Sequence, residues 1–140
     1  MEVSTHSSQE TKKLASEIAK KISKGSVIAL YGDLGAGKTA FTRYLAGALG
    51  FKSRVQSPTF VVARKYERGD LVINHIDLYR LTSKQEAEEI GIDDFLKNRE
   101  CITIIEWPEI IDDMLPKGTI RIFFEYAGEN ERKIKIQNLY

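Results

Sequence analysis

The stretch that decides the fold is "ALYGDLGAGKTAFTRYLAGALG", residues 29–50. Its first residues close the apolar run "VIALY", residues 27–31, which predicts a short strand buried on both faces. After a glycine-rich turn, four apolar residues recur at helical spacing and form one stripe, and Gly50 follows as a stop signal. These four residues are Phe41, Leu45, Ala48 and Leu49. The stretch therefore predicts a strand, a tight loop and a helix.

The loop in this stretch, "GDLGAGKT" at residues 32–39, satisfies the pattern G-x-x-x-x-G-K-[ST] in full. Glycines allow the backbone to curl so that successive N–H groups point at phosphate oxygens. Lys38 offers a mobile positive charge to the β- and γ-phosphates, and the N-terminus of the following helix favours the same anion. The hydroxyl of Thr39 is placed to bind Mg²⁺. The pattern and its strand-and-helix context predict a nucleotide-binding site.

Composition limits the other functions that the chain can have. Its 140 residues are expected to form one domain, residues 1–140, with 21 Lys and Arg against 20 Asp and Glu. This balance does not indicate direct binding to nucleic acid, although a local basic patch can hide in a neutral total. Cys101 is the single cysteine, which excludes an intramolecular disulfide and a cysteine metal cluster. No run approaches the roughly 20 apolar residues of a membrane span, and the N-terminus lacks a signal pattern. We expect a cytoplasmic protein without a membrane partner.

The remaining sequence alternates between helical and strand-like patterns. Helices are expected over residues 7–25, where Ser7 and Glu10 fit a capping box, over 83–92, where Ser83 and Glu86 fit another, and over 108–115. Strands are expected in two hairpins, residues 59–66 with 71–78 and 119–126 with 132–137, and over the apolar run 101–107. The pattern predicts an α/β fold, a P-loop NTPase-like three-layer sandwich. Its central sheet is expected to be mixed, parallel near the glycine loop and antiparallel elsewhere.

Two carboxylates are candidates to complete the nucleotide site. Asp77 follows the apolar run "LVINHI", and Glu106 follows "CITII". A phosphate-loop enzyme needs such a group at the end of a neighbouring strand, to hold Mg²⁺ directly or through water. The second run is the more apolar, which favours Glu106 as the nearer metal partner. The GTPase strings N-K-x-D and D-x-x-G, the ABC signature LSGGQ and a long kinase lid are all missing, which favours an adenine nucleotide.

Four strings together resemble the TsaE family, also called YjeE. They are "GDLGAGKT", "SPTF" (residues 57–60), "HIDLYRL" (75–81) and "EWPE" (106–109), in the family's order and spacing. The resemblance implies a bacterial Mg²⁺-dependent ATPase required for threonylcarbamoyl-adenosine modification of tRNA. It implies two partner proteins, TsaB and TsaD, which would hold the tRNA, so that this chain would meet tRNA only indirectly. Hydrolysis, weak in the chain alone, would reset the partner complex between rounds.

The same resemblance implies roles for individual residues. The phosphates would be wrapped by Leu34, Gly35, Ala36, Gly37, Lys38 and Thr39. Thr39 and Glu106 would hold Mg²⁺, and Asp77 would position the attacking water or support the metal shell. Thr59 would serve as a hydroxyl that senses the γ-phosphate. Ser8 and Thr11 open the first helix, which in the family packs near the adenine, although both residues are also suited to capping.

Trp107 and His75 leave more than one interpretation open. Trp107 lies between Glu106 and Pro108, where a strand leaves the sheet, and could stack on a base, anchor an interface or close the edge of the core. For His75, two residues before Asp77, we expect a hydrogen bond within the structure rather than a catalytic role.

Three functions fit these features. The first is the partner-coupled ATPase. The second is a nucleotide-gated binding module, in which ATP binding alone would control docking of the partner. The third is a small-molecule kinase, for which the sequence shows no acceptor pocket.

Overall fold

The structure, a computed structural model, describes residues 1–33, 35–52 and 62–139 of the chain. Seven strands and four α-helices are present in these residues, with one 3₁₀ helix, Pro108–Met114. The strands are β1 Glu2–Thr5, β2 Val27–Tyr31, β3 Ala63–Arg68, β4 Leu71–Asp77, β5 Cys101–Glu106, β6 Ile120–Tyr126 and β7 Arg132–Gln137. The α-helices are α1 Ser8–Ala19, α2 Lys38–Ala48, α3 Lys84–Glu89 and α4 Ile92–Lys97.

The seven strands form one sheet in the order β1-β7-β6-β2-β5-β4-β3. The four central strands, β6, β2, β5 and β4, are parallel, while β3, β7 and β1 add antiparallel pairings at the two sides. The predicted mixed sheet is thus confirmed. Strand β2 runs parallel to its two neighbours, β5 and β6. The loop that follows β2 therefore opens at the edge of the sheet where these parallel strands end. This edge is where open α/β sheets place their ligands.

Each face of the sheet carries its own layer of helices. On one face, α1 and α2 pack on alternate residues of β2 and β5 such as Ile28, Leu30 and Ile104. On the other face, α3, α4 and the 3₁₀ helix pack on a second cluster that contains Val27, Ile105 and Ile76. The three-layer arrangement predicted from the sequence follows from this alternation, because successive strand residues point to opposite faces.

Helix ends agree with the capping patterns. The Ser7 hydroxyl accepts a hydrogen bond from the Glu10 N–H at 3.1 Å, and the Ser83 hydroxyl accepts one from the Glu86 N–H at 3.2 Å. In each case the glutamate carboxylate turns back to accept from the N–H of the residue before the cap, His6 or Thr82. These bonds satisfy amide donors that a helix start otherwise leaves unpaired.

Three elements differ from the prediction. Strand β1 was not expected, because its four residues show little alternation and its order comes from pairing with β7. Helix α1 ends at Ala19 and not near Gly25, although Ile22 stays buried in the turns that follow. The helix expected over 83–92 ends early, since Gly91 takes a left-handed φ of +86° and begins α4. Among the residues described, no helix has the length and apolar character to cross a membrane.

Candidate functional site

The glycine loop has a backbone that only glycine adopts readily. Gly35 and Gly37 have left-handed φ angles of +79° and +103°. Gly32, at φ +146°, has a second restriction, because a Cβ there would lie 2.8 Å from the Phe124 carbonyl oxygen on β6. The loop is therefore shaped by glycine at three motif positions, and α2 begins at Lys38 with its N-terminus directed at the loop.

Thr39 and Glu106 meet at the carboxyl edge of the sheet. Glu106 ends β5, pairs in register with Leu30 of β2 and Asp77 of β4, and is only 2% exposed. The Thr39 hydroxyl on the first turn of α2 donates to its carboxylate, 3.2 Å from Oε1 and 3.3 Å from Oε2. A hydroxyl and a carboxylate thus converge beside the glycine loop, and both are oxygen ligands of the kind that Mg²⁺ prefers.

A second buried residue contacts the same carboxylate. Nε2 of His75, a fully buried residue on β4, lies 2.5 Å from Oε2 of Glu106. The other ring nitrogen, Nδ1, lies 3.1 Å from the hydroxyl of Tyr66 on β3. The histidine is hydrogen-bonded within the structure, as the sequence led us to expect.

Lys38 is held close to the loop and is 5% exposed. Its ammonium group donates a hydrogen bond to the carbonyl of Gly32 and lies 3.4 Å from the centroid of the Trp107 ring. Burial lowers the pKa of Lys38, and nearby carboxylates oppose that shift. In order of effect, these are Glu106, Glu109, Asp77 and Asp33. Lys38 is therefore a cation surrounded by acids, in a position where phosphates can replace its present contacts.

The other acids near Lys38 lie in partly buried positions. Burial raises the pKa of Asp77 and of Glu109, and the charge of Lys38 lowers both in part. One oxygen of Asp77 accepts a hydrogen bond from the Tyr79 N–H at 2.8 Å. A carboxylate that is desolvated and held by a backbone bond is suited to orient a water molecule or a metal-bound water.

Trp107 leaves β5 in a left-handed backbone conformation, with a φ of +57°. Its ring therefore turns back over Lys38, and its centroid lies 4.9 Å from that of Tyr79, which is 50% exposed. Trp107 also packs against the apolar cluster beneath α3 and α4. Trp107 therefore lies beside the glycine loop and is partly exposed. Its predicted stacking on a nucleotide base stays a prediction.

A small cleft of about 70 Å³ lies on the α1 side of the loop. Ser8 and Thr11 line it, and the loop contributes Ala36 and Gly37; the predicted position of Ser8 and Thr11 near the adenine stays a prediction. Sequence reasoning missed Tyr44 of α2, and the other polar lining residues are Asn130 and Arg132. The last two come from the C-terminal hairpin, where the sequence carries no recognisable motif.

Arg132 connects this hairpin to the glycine loop. Its Nε donates to the carbonyl of Ala36 at 3.0 Å, and its Nη1 donates to the carbonyls of Gly128 and Glu131 at 3.1 and 2.8 Å. Its guanidinium carbon lies 5.2 Å from the centroid of the Tyr126 ring. One side chain thus holds a loop carbonyl and the turn of the hairpin in a fixed relation.

Most of the predicted site residues come together at one edge of the sheet. Gly35 to Thr39, Asp77, Glu106 and Trp107 surround the loop, and Ser8 and Thr11 line the cleft beside it. Leu34, and Thr59 within "SPTF", lie outside the described residues, so their predicted roles stay predictions. The residues that the structure describes contain no group of three or more His, Cys, Asp or Glu able to enclose a metal. The pair Thr39 and Glu106 fits Mg²⁺ in its usual protein setting, with one or two protein ligands beside substrate phosphates.

Comparison with known proteins identifies relatives along almost the whole chain. A family model described as "Threonylcarbamoyl adenosine biosynthesis protein TsaE" matches residues 5–134. The chain is 38% identical over 126 residues to the tRNA threonylcarbamoyladenosine biosynthesis protein TsaE of Bacillus subtilis, covering 90% of this chain and 78% of that protein. It is 40% identical over 137 residues to the protein of the same name from Aquifex aeolicus, covering 96% and 94%.

A solved structure is similar over the full length. The crystal structure of Bacillus subtilis YdiB matches with a TM-score of 0.81 and 31% sequence identity. The match covers 100% of this chain and 86% of that one. The resemblance therefore includes the C-terminal hairpin, for which the motifs alone provided no support.

Proposed function

This chain belongs to the TsaE family, and from that premise we propose that it is a Mg²⁺-dependent ATPase required for threonylcarbamoyladenosine modification of tRNA. It would act in the cytoplasm with TsaB and TsaD and reset their complex by hydrolysing ATP. The tRNA would be held by those partners. The names of the relatives support the pathway, and the geometry around the phosphate loop supports the chemistry.

The observation that carries the proposal is the contact between Thr39 and Glu106. It joins the first turn of the phosphate-loop helix to the end of the neighbouring strand, with 3.2 and 3.3 Å between the hydroxyl and the two carboxylate oxygens. A hydrogen bond that served only the fold would not need a buried carboxylate. Burial of such a group is costly unless its hydrogen-bond partners replace the water that it loses. The same pair supplies the oxygen ligands that an ATPase uses for Mg²⁺.

In this proposal, each part of the site has one task. Gly35 to Thr39, with Leu34, wrap the phosphates, and Lys38 turns from the Gly32 carbonyl to the β- and γ-phosphates. Thr39 and Glu106 would hold Mg²⁺, which would neutralise charge on the phosphate oxygens. Asp77 orients the attacking water, and Thr59 senses the γ-phosphate. Ser8, Thr11 and Trp107 contact the nucleoside.

Substitution of Glu106 tests the chemistry. We expect Glu106→Gln to keep ATP binding and to lower partner-stimulated hydrolysis roughly 100-fold, because it removes a charge-bearing metal ligand. Lys38→Ala should abolish nucleotide binding. Glu89→Gln, an exposed carboxamide change on α3, is the matched control and should hydrolyse ATP at the native rate. The rate of ATP hydrolysis would be measured as the rate at which phosphate is released, with and without TsaB and TsaD. Native turnover in Glu106→Gln would refute the metal assignment.

A second function, the nucleotide-gated binding module, is favoured by the contacts of Lys38. Its ammonium group touches Trp107, and the Trp107 ring touches the exposed Tyr79. When Lys38 moves to a phosphate, the ring loses that contact, so binding alone can change the surface near Tyr79. A non-hydrolysable ATP analogue separates the two functions. If the analogue sustains repeated rounds of modification, hydrolysis is not required; if it supports one round only, the ATPase proposal stands.

A further inference from the structure

A line of hydrogen bonds runs through the buried interior from β3 to the phosphate-loop helix. It begins at the Tyr66 hydroxyl, passes through both ring nitrogens of His75, and reaches Thr39 through the Glu106 carboxylate. Tyr66 is 5% exposed, His75 is fully buried and Glu106 is 2% exposed. Three strands and one helix each contribute one member, so the line depends on the tertiary fold.

The chemistry of the groups determines where the proton on His75 lies. In the proposed function Glu106 binds a metal as a carboxylate that can only accept, so Nε2 of His75, 2.5 Å from Oε2, is the donor of this contact. Nδ1 then faces the Tyr66 hydroxyl, which can donate to it. His75 thus contacts one oxygen of Glu106 from β4, which lies on the side of β5 opposite to β2, while Thr39 contacts both oxygens from α2.

We propose that His75 is a positioning residue, which holds Glu106 in the orientation needed to bind Mg²⁺, with Tyr66 holding the ring in turn. The inference rests on the proposed function, in which Glu106 is a metal ligand. A metal ligand whose side chain can rotate loses conformational entropy when the metal binds, which weakens binding. A residue that hydrogen-bonds to the ligand orders it beforehand and so reduces this loss. If His75 only filled space in the core, an apolar side chain could replace it. Such a side chain would, however, leave the buried carboxylate of Glu106 without the hydrogen bond that His75 donates.

Two substitutions of His75 separate donation from packing. A glutamine amide reaches the place of Nε2 and can donate to Glu106, whereas an asparagine amide reaches only the place of Nδ1. Both are polar amides in the same buried position, so His75→Gln is the matched control for His75→Asn. Tyr66→Phe keeps the ring of the third member and removes only its hydroxyl. It provides the test should both histidine variants fail to fold.

The first measurement is the protonation of the ring in the metal-free native chain, by ¹⁵N-histidine NMR. The chain has two histidines, and His6 has an exposed side chain, so assignment needs only a His6→Gln variant. We expect the buried ring to be protonated at Nε2, with a slowly exchanging proton. An Nε2 atom without a proton would overturn the proposal, because the ring could not then donate to Glu106.

The second measurement is the affinity for Mn²⁺, used as a paramagnetic probe of the Mg²⁺ site, by EPR of the full chain with saturating ADP. We expect His75→Asn to weaken Mn²⁺ binding by 10- to 100-fold, Tyr66→Phe by roughly threefold to tenfold, and His75→Gln by less than threefold. Equal weakening in the Gln and Asn variants, or native affinity in His75→Asn and Tyr66→Phe, would overturn the positioning role. Glu106→Gln is measured in parallel. If this variant binds Mn²⁺ normally, Glu106 is not the metal ligand and the proposed function fails; this outcome is distinct from one in which only the His75 variants keep native affinity.

Discussion

Arg132 offers a sharp test of how the phosphate loop is held. Of its three hydrogen bonds to carbonyls, those to Gly128 and Glu131 lie within its own hairpin, and only the 3.0 Å bond to Ala36 reaches the loop. A hydrogen bond from a charged donor contributes about 1.5–3 kcal/mol, and the partial exposure of this one favours the lower end. We therefore expect Arg132→Gln to weaken nucleotide binding about tenfold, since 1.4 kcal/mol corresponds to a factor of ten.

The assay is titration calorimetry with ADP and, separately, with a non-hydrolysable ATP analogue. Because the lost bond orders the loop and not the terminal phosphate, both affinities should fall by the same factor. Arg132→Lys should behave like Arg132→Gln, because an ammonium group on a flexible stem lacks the rigid guanidinium that bonds the Ala36 carbonyl while it is anchored on the hairpin turn. Lys133→Gln, an exposed change on the same strand, is the control and should leave both affinities unchanged. Native ADP affinity in a folded Arg132→Gln protein would refute this reasoning, as would a loss confined to the ATP analogue.

Two further predictions concern the loop and the acids around it. Gly32→Ala should lower the free energy of unfolding by about 1–3 kcal/mol in a denaturant titration, because its Cβ would lie 2.8 Å from the Phe124 carbonyl oxygen. Gly47→Ala, in α2, should instead stabilise the protein by up to about 1 kcal/mol, because outside the helix's own backbone no atom of the described residues lies within 4 Å of the new Cβ. Burial raises the pKa of Asp77, so its ionised form opposes folding at neutral pH. Asp77→Asn should therefore raise the melting temperature at pH 7 while slowing hydrolysis, with the thermal advantage shrinking as the pH falls from the raised pKa of Asp77 in the folded state toward the ordinary value of about 3.9, and absent below it; an advantage that persists below that pH would contradict the burial argument.

Local patterns in the sequence were enough to predict the parts of the fold that depend on neighbouring residues. Strand β2 has the predicted bounds, 27–31, and both capping serines bond as their spacing indicated. The glycine loop was equally readable, since the positive φ angles of Gly35 and Gly37 follow from residue type. These features depend on side-chain volume, backbone freedom and short-range hydrogen bonds, all of which the local sequence specifies.

Features formed between distant segments could not be predicted in the same way. Nothing in the last thirty residues indicated that Arg132 would bond to Ala36, because the contact depends on β7 folding beside β6 and on the sheet order around β2. The link between His75 and Glu106 left a partial signal. Once β4 and β5 are set parallel with Asp77 beside Glu106, the period of two places His75 on the same face as both acids. Register was the missing information, and the sequence did not determine it.

The near-neutral total charge of the chain conceals an acidic site, and this charge balance bears on the metal that the proposed function requires. Glu106, Glu109, Asp77 and Asp33 all act electrostatically on Lys38, the cation of the phosphate loop. A nucleoside triphosphate would bring several more negative charges to the same edge of the sheet. The N-terminus of α2 offsets only about half an elementary charge. Without a divalent cation the carboxylates and phosphates repel one another. In the proposed function Mg²⁺ held by Thr39 and Glu106 would offset this repulsion, so the acids that oppose binding of the free nucleotide would favour its magnesium form.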